Sequence, residues 1–233
     1  MDKIEVKFLY GYNFNMPKFL AKLTQRGHEI ESMEDIMSIH ESISGTEEPS
    51  DYFMESPHTT LRRMNPICIA VSGLSTKCVS QLRTHAKRLT FLSTSTQYSS
   101  YINKNENFGV IPSDDPEEAK TFSTIYKIIF SLYDFLIDMK VDKDKASYIL
   151  PQGLRKALII YGNVDDWQYV MKTRLCHRNS YETQMVMKAI YKAIKDNMGE
   201  QWVKGMLPPC ANGKCEEGKL SCGRKFNPEE ELL

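Results

Sequence analysis

The chain predicts a mixed α+β fold with rather more helix than strand. Three observations carry that expectation. Residues 4–10 alternate apolar and polar side chains, Asp115-Pro116-Glu117-Glu118 opens a long amphipathic stretch, and short apolar runs at 67–71 and 158–161 are set between helical patterns.

In chain order, Ile4, Val6, Phe8 and Tyr10 have the period-2 spacing of a half-buried strand. Asn15 and Pro17 then open a short helix through Phe19, Leu20 and Leu23, which Gly27 stops. Residues 28–62 are polar and acidic, and they read as helix fragments with a flexible loop around Gly45-Thr46-Glu47-Glu48-Pro49-Ser50. Ile67-Cys68-Ile69-Ala70-Val71 is a buried strand. Ser75 caps a helix with Cys78, Val79, Leu82 and Ala86 inward and Arg83, His85, Lys87 and Arg88 in its last turns. The Asp115 start leads into a helix through Phe122, Ile125, Ile129, Leu132, Tyr133 and Leu136. Leu150-Pro151 breaks the chain, 158–161 is a strand, and Asp165 or Asp166 caps a helix through Trp167 and Val170 to Arg174. A further helix runs from Tyr181 to Met198, with Gly199 as its C-cap. Residues 200–233 read as a C-terminal tail, within a single domain spanning 1–233.

Composition narrows the function. Thirty Lys+Arg balance thirty Asp+Glu in 233 residues, so no overall positive field recruits nucleic acid or a membrane surface. An anionic ligand needs a local basic cluster. The longest apolar stretch, 125–137, is interrupted by Lys127, Ser131 and Asp134 and falls short of a membrane span. Met1-Asp2-Lys3-Ile4-Glu5 has no apolar signal core, so the expected compartment is the cytoplasm and the six cysteines are expected as reduced thiols.

Three motifs near the C-terminus are look-alikes. Gly213-Lys214-Cys215-Glu216-Glu217-Gly218-Lys219 has the glycine spacing of a phosphate loop, but Leu220 stands where a hydroxyl must meet magnesium, and Pro208-Pro209 cannot be the preceding central strand. Cys210, Cys215 and Cys222 lack paired Cys-x-x-Cys spacing, so no metal is assigned. Leu207-Pro208-Pro209-Cys210 resembles the nucleophile segment of cysteine-dependent thymidylate synthases, yet Ala211 replaces the His that follows in that family.

The informative stretch runs Gln81-Leu82-Arg83-Thr84-His85-Ala86-Lys87-Arg88 and then Ser93-Thr94-Ser95-Thr96-Gln97-Tyr98. A basic helix end running into a hydroxyl-rich loop can hold phosphate by charge-assisted hydrogen bonds, or can simply complement the helix dipole beside an ordinary loop. This stretch resembles the signature of the flavin-dependent thymidylate synthases, the ThyX family, in which a Gln precedes Arg-His-Arg and a Ser-x-Arg-Tyr follows. Gln81, His85, Ser95 and Tyr98 keep parts of it. Pro57-His58-Thr59-Thr60, Val71-Ser72-Gly73-Leu74-Ser75, Leu150-Pro151, Asn163 and Arg174-Leu175 with Glu182 follow in the family's order. The departures are Gln97 and Ser147 where the family has Arg, Thr84-His85-Ala86 or His85-Ala86-Lys87 for the basic triplet, and Arg62 and Arg63 in place of an acid. Asp165 stands near an arginine that helps hold the flavin. Arg83, Lys87, Arg88 and Arg155 are nearby cations for phosphate contacts.

The resemblance implies a ThyX-like single domain with a central sheet flanked by long helices, assembled as a homotetramer with active sites shared between subunits. It implies FAD as cofactor, dUMP as substrate, 5,10-methylenetetrahydrofolate as one-carbon donor and NADPH as reductant, with dTMP as product and no cysteine nucleophile. Ser95 and Arg174 would be catalytic; Gln81, Arg83, Ser95, Gln97 and Arg174 would bind substrate; His58, Thr60, His85, Lys87 and Asn163 would line the flavin site. Arg174 could instead form a surface salt bridge with Glu182. A diverged pyrimidine C5 transferase with another nucleotide, and a nucleotide-binding paralogue that has lost the flavin, are the alternatives.

Overall fold

A computed structural model of the chain describes residues 4–11, 15–43 and 49–232. Strands β1 (Glu5–Gly11), β2 (Pro66–Ser75), β3 (Thr90–Ser93) and β4 (Arg155–Asn163) form one antiparallel sheet in the order β1-β2-β4-β3. Helices α1 (Met16–Gln25), α2 (Met33–Glu41), α3 (Asp51–Glu55) and α4 (Thr60–Arg63) precede β2, and α5 (Thr76–Arg83) follows it. Helices α6 (Pro116–Asp138) and α7 (Lys143–Ala146) lie between β3 and β4; α8 (Val164–Arg174), α9 (Tyr181–Met198), α10 (Pro209–Asn212) and α11 (Pro228–Glu231) come after β4. The described chain falls into two compact units, the first comprising residues 4–6, 70–86 and 91–160 and the second 7–69, 87–90 and 161 onward. Residues 45–48 of the expected loop lie outside the described residues.

In unit 1, Ser75 Oγ accepts from the Cys78 amide at 3.0 Å and starts α5. The helix ends earlier than its apolar spacing predicts. The amides of His85 and Ala86 donate to the carbonyls of Leu82 and Arg83, three residues back, so the chain leaves α-geometry and Ala86 is exposed instead of facing inward. His85, Lys87 and Arg88 therefore stand beyond the helix, not in its last turns. Helix α6 begins as expected, with the Asp115 carboxylate accepting from the amides of Glu117 and Glu118 at 3.0 and 2.9 Å. Its buried face is Tyr126, Phe130 and the expected Tyr133, which pack with Tyr101, Ala146 and Leu154, and the expected Phe122 and Leu136 pack partly buried against that cluster. Ile125 and Leu132, expected inward, are 45% and 52% exposed. Tyr126 also donates to the Val110 carbonyl at 2.7 Å, and only glycine fits at positions 109 and 153, because a Cβ at either would collide with the Tyr126 side chain.

Unit 2 is built by α1 to α4 and α8 to α11. The cap of α8 is Asn163, whose Oδ1 accepts from the Asp166 amide at 3.0 Å, and not Asp165 or Asp166, which sit in the first turn. Helix α9 spans Tyr181–Met198 with Gly199 at φ +107°, as the sequence predicts. Val186, Met187, Ile190 and Ile194 of α9 and Val170 and Met171 of α8 are fully buried. Trp167 is buried too, and its indole N–H donates to the Ile67 carbonyl at 3.3 Å. The residues read as a tail belong to this core: Trp202 and Phe226 have 1% and 0% exposure, and Glu231 of α11 pairs with Lys188 of α9 at 2.8 Å. Among the described residues no helix is long and apolar enough to cross a membrane, and no group of three or more His, Cys, Asp or Glu is arranged to hold a metal ion. All six cysteines are free thiols.

Candidate functional site

The site residues fall into two groups, one in each unit. In unit 2 the segment after His58 folds into the single turn of α4. Its second basic residue turns inward: Arg62 Nη1 donates to the carbonyls of Phe53 and Ser56 at 3.0 and 2.6 Å, and Nη2 donates to Asp165 Oδ1 at 3.1 Å. Both partners are buried. Arg63 Nε and Arg88 Nη1 each stand 3.7 Å from Asp165 Oδ2, and Arg88 also reaches Asp166 Oδ1 at 3.3 Å while its guanidinium lies 4.1 Å over the ring of Tyr169. The two carboxylates sit in the first turn of α8, where the helix dipole favours negative charge. Two departures from the signature thus meet. Arg62 and Asp165, both of which the resemblance marks as departures, pair with each other.

Beside this network lies a cleft of about 330 Å³ lined by Arg63, Met64, Arg88, Tyr161, Asn163 and Asp166, among others. Of the cofactor residues expected in unit 2, Asn163 lines this cleft. His58, Thr60 and Lys87 are exposed and stand outside its lining. Asn163 carries a second duty as the α8 cap, which sequence spacing did not separate from ligand binding. Arg174, at the end of α8, donates to Asn179 Oδ1 at 2.7 Å, and Asn179 in turn donates to the Thr173 carbonyl at 2.7 Å and the Cys176 carbonyl at 3.0 Å. The guanidinium is thereby braced and half-buried.

In unit 1, Gln81 is half-buried on α5, and Arg83, its final residue, is exposed; His85 is half-buried in the turn beyond. The Ser95 hydroxyl accepts from the amides of Gln97 and Tyr98 at 3.1 and 3.2 Å, a turn that shapes the loop after β3. Those bonds use its lone pairs and leave its own O–H as a donor. Gln97 and Tyr98 are exposed. Behind the loop stand two residues that motif reasoning missed. Tyr101 donates to the Ser95 carbonyl at 3.4 Å, and Lys156 donates to the Tyr101 hydroxyl at 3.3 Å and to the Thr94 carbonyl at 3.1 Å. Burial pushes the Lys156 pKa down, and the charge of Arg83 adds to that; burial likewise pushes Tyr101 up. The available signal was a lysine two residues before Leu158, on the inward side of a strand. Arg155 is committed to backbone, donating to the carbonyls of Asn107, Gly73 and Gly109 at 3.0, 3.5 and 3.4 Å.

A sequence model of the family described as thymidylate synthase complementing protein matches residues 15–198. The flavin-dependent thymidylate synthase of Geobacter sulfurreducens is 22% identical over 179 residues, covering 75% of each chain. That of Thermococcus kodakarensis is 27% identical over 173 residues, covering 70% of this chain and 69% of its own. Among solved structures, ThyX from Helicobacter pylori with FAD and dUMP superposes with a TM-score of 0.61 at 17% identity, over 86% of this chain and 99% of that one. The UMP/dUMP methylase PolB from Streptomyces cacaoi, bound with 5-Br dUMP, gives 0.66 at 14% identity, over 88% and 95%.

Proposed function

The chain belongs to the thymidylate synthase complementing protein family, and from that premise we propose that it methylates dUMP to dTMP with FAD, taking the one-carbon unit from 5,10-methylenetetrahydrofolate and reducing equivalents from NADPH. The observation that carries this reading is the span of the family match, residues 15–198, which contains every candidate residue from His58 to Arg174.

The unit 2 cleft suits a cofactor with a planar ring and a diphosphate. Met64 and Tyr161 expose apolar surface there, 51% and 42%, next to the 57% exposed guanidinium of Arg63 and the carboxamide of Asn163. Asp165 does not obstruct this, because Arg62 already neutralises it. In this reading Arg63 and Asn163 hold the cofactor in the cleft, while His58, Thr60, His85 and Lys87, which do not line it, would reach a cofactor only across the proposed subunit boundary. When bound, FAD supplies the redox and one-carbon transfer chemistry that no side chain here can. The protein's own work is orientation. Ser95 donates its free O–H to the uracil, and Gln81, Arg83, Gln97 and Arg174 hold the nucleotide's base or phosphate. The proposed assembly is a homotetramer with shared active sites, in the cytoplasm. It is supported by the apolar face that α6 leaves uncovered in the single chain, Ile125, Ile128, Leu132 and Phe135, each 45–59% exposed.

The test is the visible spectrum of the purified protein, followed by tritium release from C5-labelled dUMP with NADPH and methylenetetrahydrofolate. Flavin absorbance with release is expected; a flavin-free, inactive protein overturns the reading. Cys210→Ala is expected to retain activity. A second reading, a C5 transferase with another nucleotide, is favoured by Gln97 and Ser147 in place of arginines. Product identification with dUMP, UMP and dCMP separates the two.

A further inference from the structure

The inward face of β4 reads Lys156, Leu158, Ile160 and Gly162, a lysine where strand alternation calls for a hydrophobe. Lys156 is 7% exposed. Its ammonium donates to Thr94 and Tyr101, which uses two of its three N–H donors, and both partners are neutral. Among the described residues no carboxylate forms an ion pair with it, and the one charge that bears on its titration is the like charge of Arg83. A buried ammonium without a counter-charge is an unfavourable arrangement that a bound anion relieves.

The surroundings are built to receive one. Lys156 lies on the wall of a cavity of about 570 Å³ in unit 1. The same wall carries Lys104 and Arg155, the hydroxyls of Ser99 and Ser100, and one carboxylate, Glu5. Three cations against one carboxylate leave a net positive lining, and the serines add neutral donors of the type that complete a phosphate shell. Arg155 is held by backbone carbonyls and Lys104 stands 4.7 Å over the ring of Phe108, so the two contribute a positive field around the buried ammonium.

We propose that this cavity binds a phosphate group and that Lys156 supplies the buried charge of the site. Resting on the nucleotide reading above, the group is the phosphate of the substrate nucleotide. Gln97 and Ser147 stand where the resemblance implies arginines, and Lys156 is a cation on β4 bonded to Thr94 and Tyr101, which flank the loop that carries Gln97.

The experiment compares wild type with Lys156→Met, a substitution of similar length without charge, using the protein as purified. Inorganic phosphate is titrated against chloride at matched ionic strength and followed by Tm, and dUMP and deoxyuridine are titrated by calorimetry. Phosphate is expected to raise the wild-type Tm. The variant is expected to lose at least tenfold in affinity for phosphate and dUMP, with deoxyuridine binding unchanged. Equal phosphate and dUMP affinities in the two proteins overturn the proposal, even if the variant's Tm in chloride has moved, because that pattern marks a lysine that only ties down the loop. Should Lys156→Met fail to fold, Ser100→Ala on the exposed rim replaces it: several-fold weaker phosphate binding supports the site, and none overturns it. Phosphate binding without methylation of dUMP keeps the site and removes the proposed function. Methylation with an unchanged dUMP KM in Lys156→Met does the reverse.

Discussion

Arg62 and Lys156 are both cations with less than a tenth of their surface exposed, and their surroundings are opposite. Arg62 meets a carboxylate at 3.1 Å and two backbone carbonyls; Lys156 meets a carbonyl and a phenol, both neutral. Both residues border a cavity, and the buried Nε of Arg62 has no hydrogen-bond partner, so cavity and burial alone do not distinguish them. What differs is the counter-charge: Asp165 answers Arg62, and no carboxylate among the described residues pairs with Lys156. The difference teaches that a buried charge indicates a ligand only when its counter-charge is missing.

The largest expected effect breaks the answered pair. Asp165→Asn leaves Arg62 buried without a counter-ion, and urea unfolding should show a loss of about 3–5 kcal/mol. Lys156→Met should lie within about 1 kcal/mol of wild type or exceed it, since replacing a buried unpaired ion by a hydrophobe is neutral to stabilising. A loss there equal to that of Asp165→Asn would erase the contrast between the two regions. The contrast sharpens with pH. Burial lowers the folded-state pKa of Lys156 below its unfolded value, so between the two values the unfolded chain binds more protons and wild-type stability rises with pH. Below that window the full penalty stands. It is relieved as pH climbs through the folded-state value toward the unfolded lysine value of about 10.4, so the stability gap between variant and wild type should narrow as pH approaches that value. Urea midpoints that stay parallel up to about pH 10.4 would show that the ammonium is not destabilised.

Smaller effects separate structure from ligand binding in unit 2. Asn163→Ala removes the α8 cap and should cost about 1 kcal/mol, whereas Asn163→Ser keeps a capping oxygen and should hold that stability. If Asn163 also touches the flavin, the serine variant loses flavin occupancy at near wild-type stability; full occupancy confines Asn163 to the cap. The smallest stability change, under about 0.5 kcal/mol, is expected for Arg63→Ala because its guanidinium is largely solvated. Its flavin occupancy should fall nonetheless, as read from the absorbance ratio of the purified protein.

Much of this was legible in the sequence, and each miss has a physical cause. Asp115-Pro116 and Gly199 mark helix ends through caps that depend on a few adjacent residues, so both ends were readable. The inward face of α6 was legible in part: Phe122, Tyr133 and Leu136 do pack into the cluster, whereas Ile125 and Leu132 do not, because apolar residues surround much of that helix and tertiary packing selected the stripe of Tyr126, Phe130 and Tyr133. Three Asx residues at 163, 165 and 166 can each cap a helix, and only the backbone angles decide among them. Ser95 and Arg174 stood out through order along the chain. The Arg62–Asp165 pair joins positions 103 residues apart, and Lys156 breaks the strand pattern that would have located it. Neither has a local signature.

Unit 2 joins residues 7–69 to residues beyond 160, with the segment 91–160 folded into unit 1 in between. During translation, Ile67 emerges well before Trp167, whose indole it accepts, and before Trp202 and Phe226, which share the unit's buried interior. At roughly 5–20 residues per second, the early half of that core waits on the order of ten seconds on the ribosome with its apolar faces uncovered. Folding of unit 1 in that interval shortens the loop that must close, so the order of synthesis itself helps the two halves of unit 2 find one another.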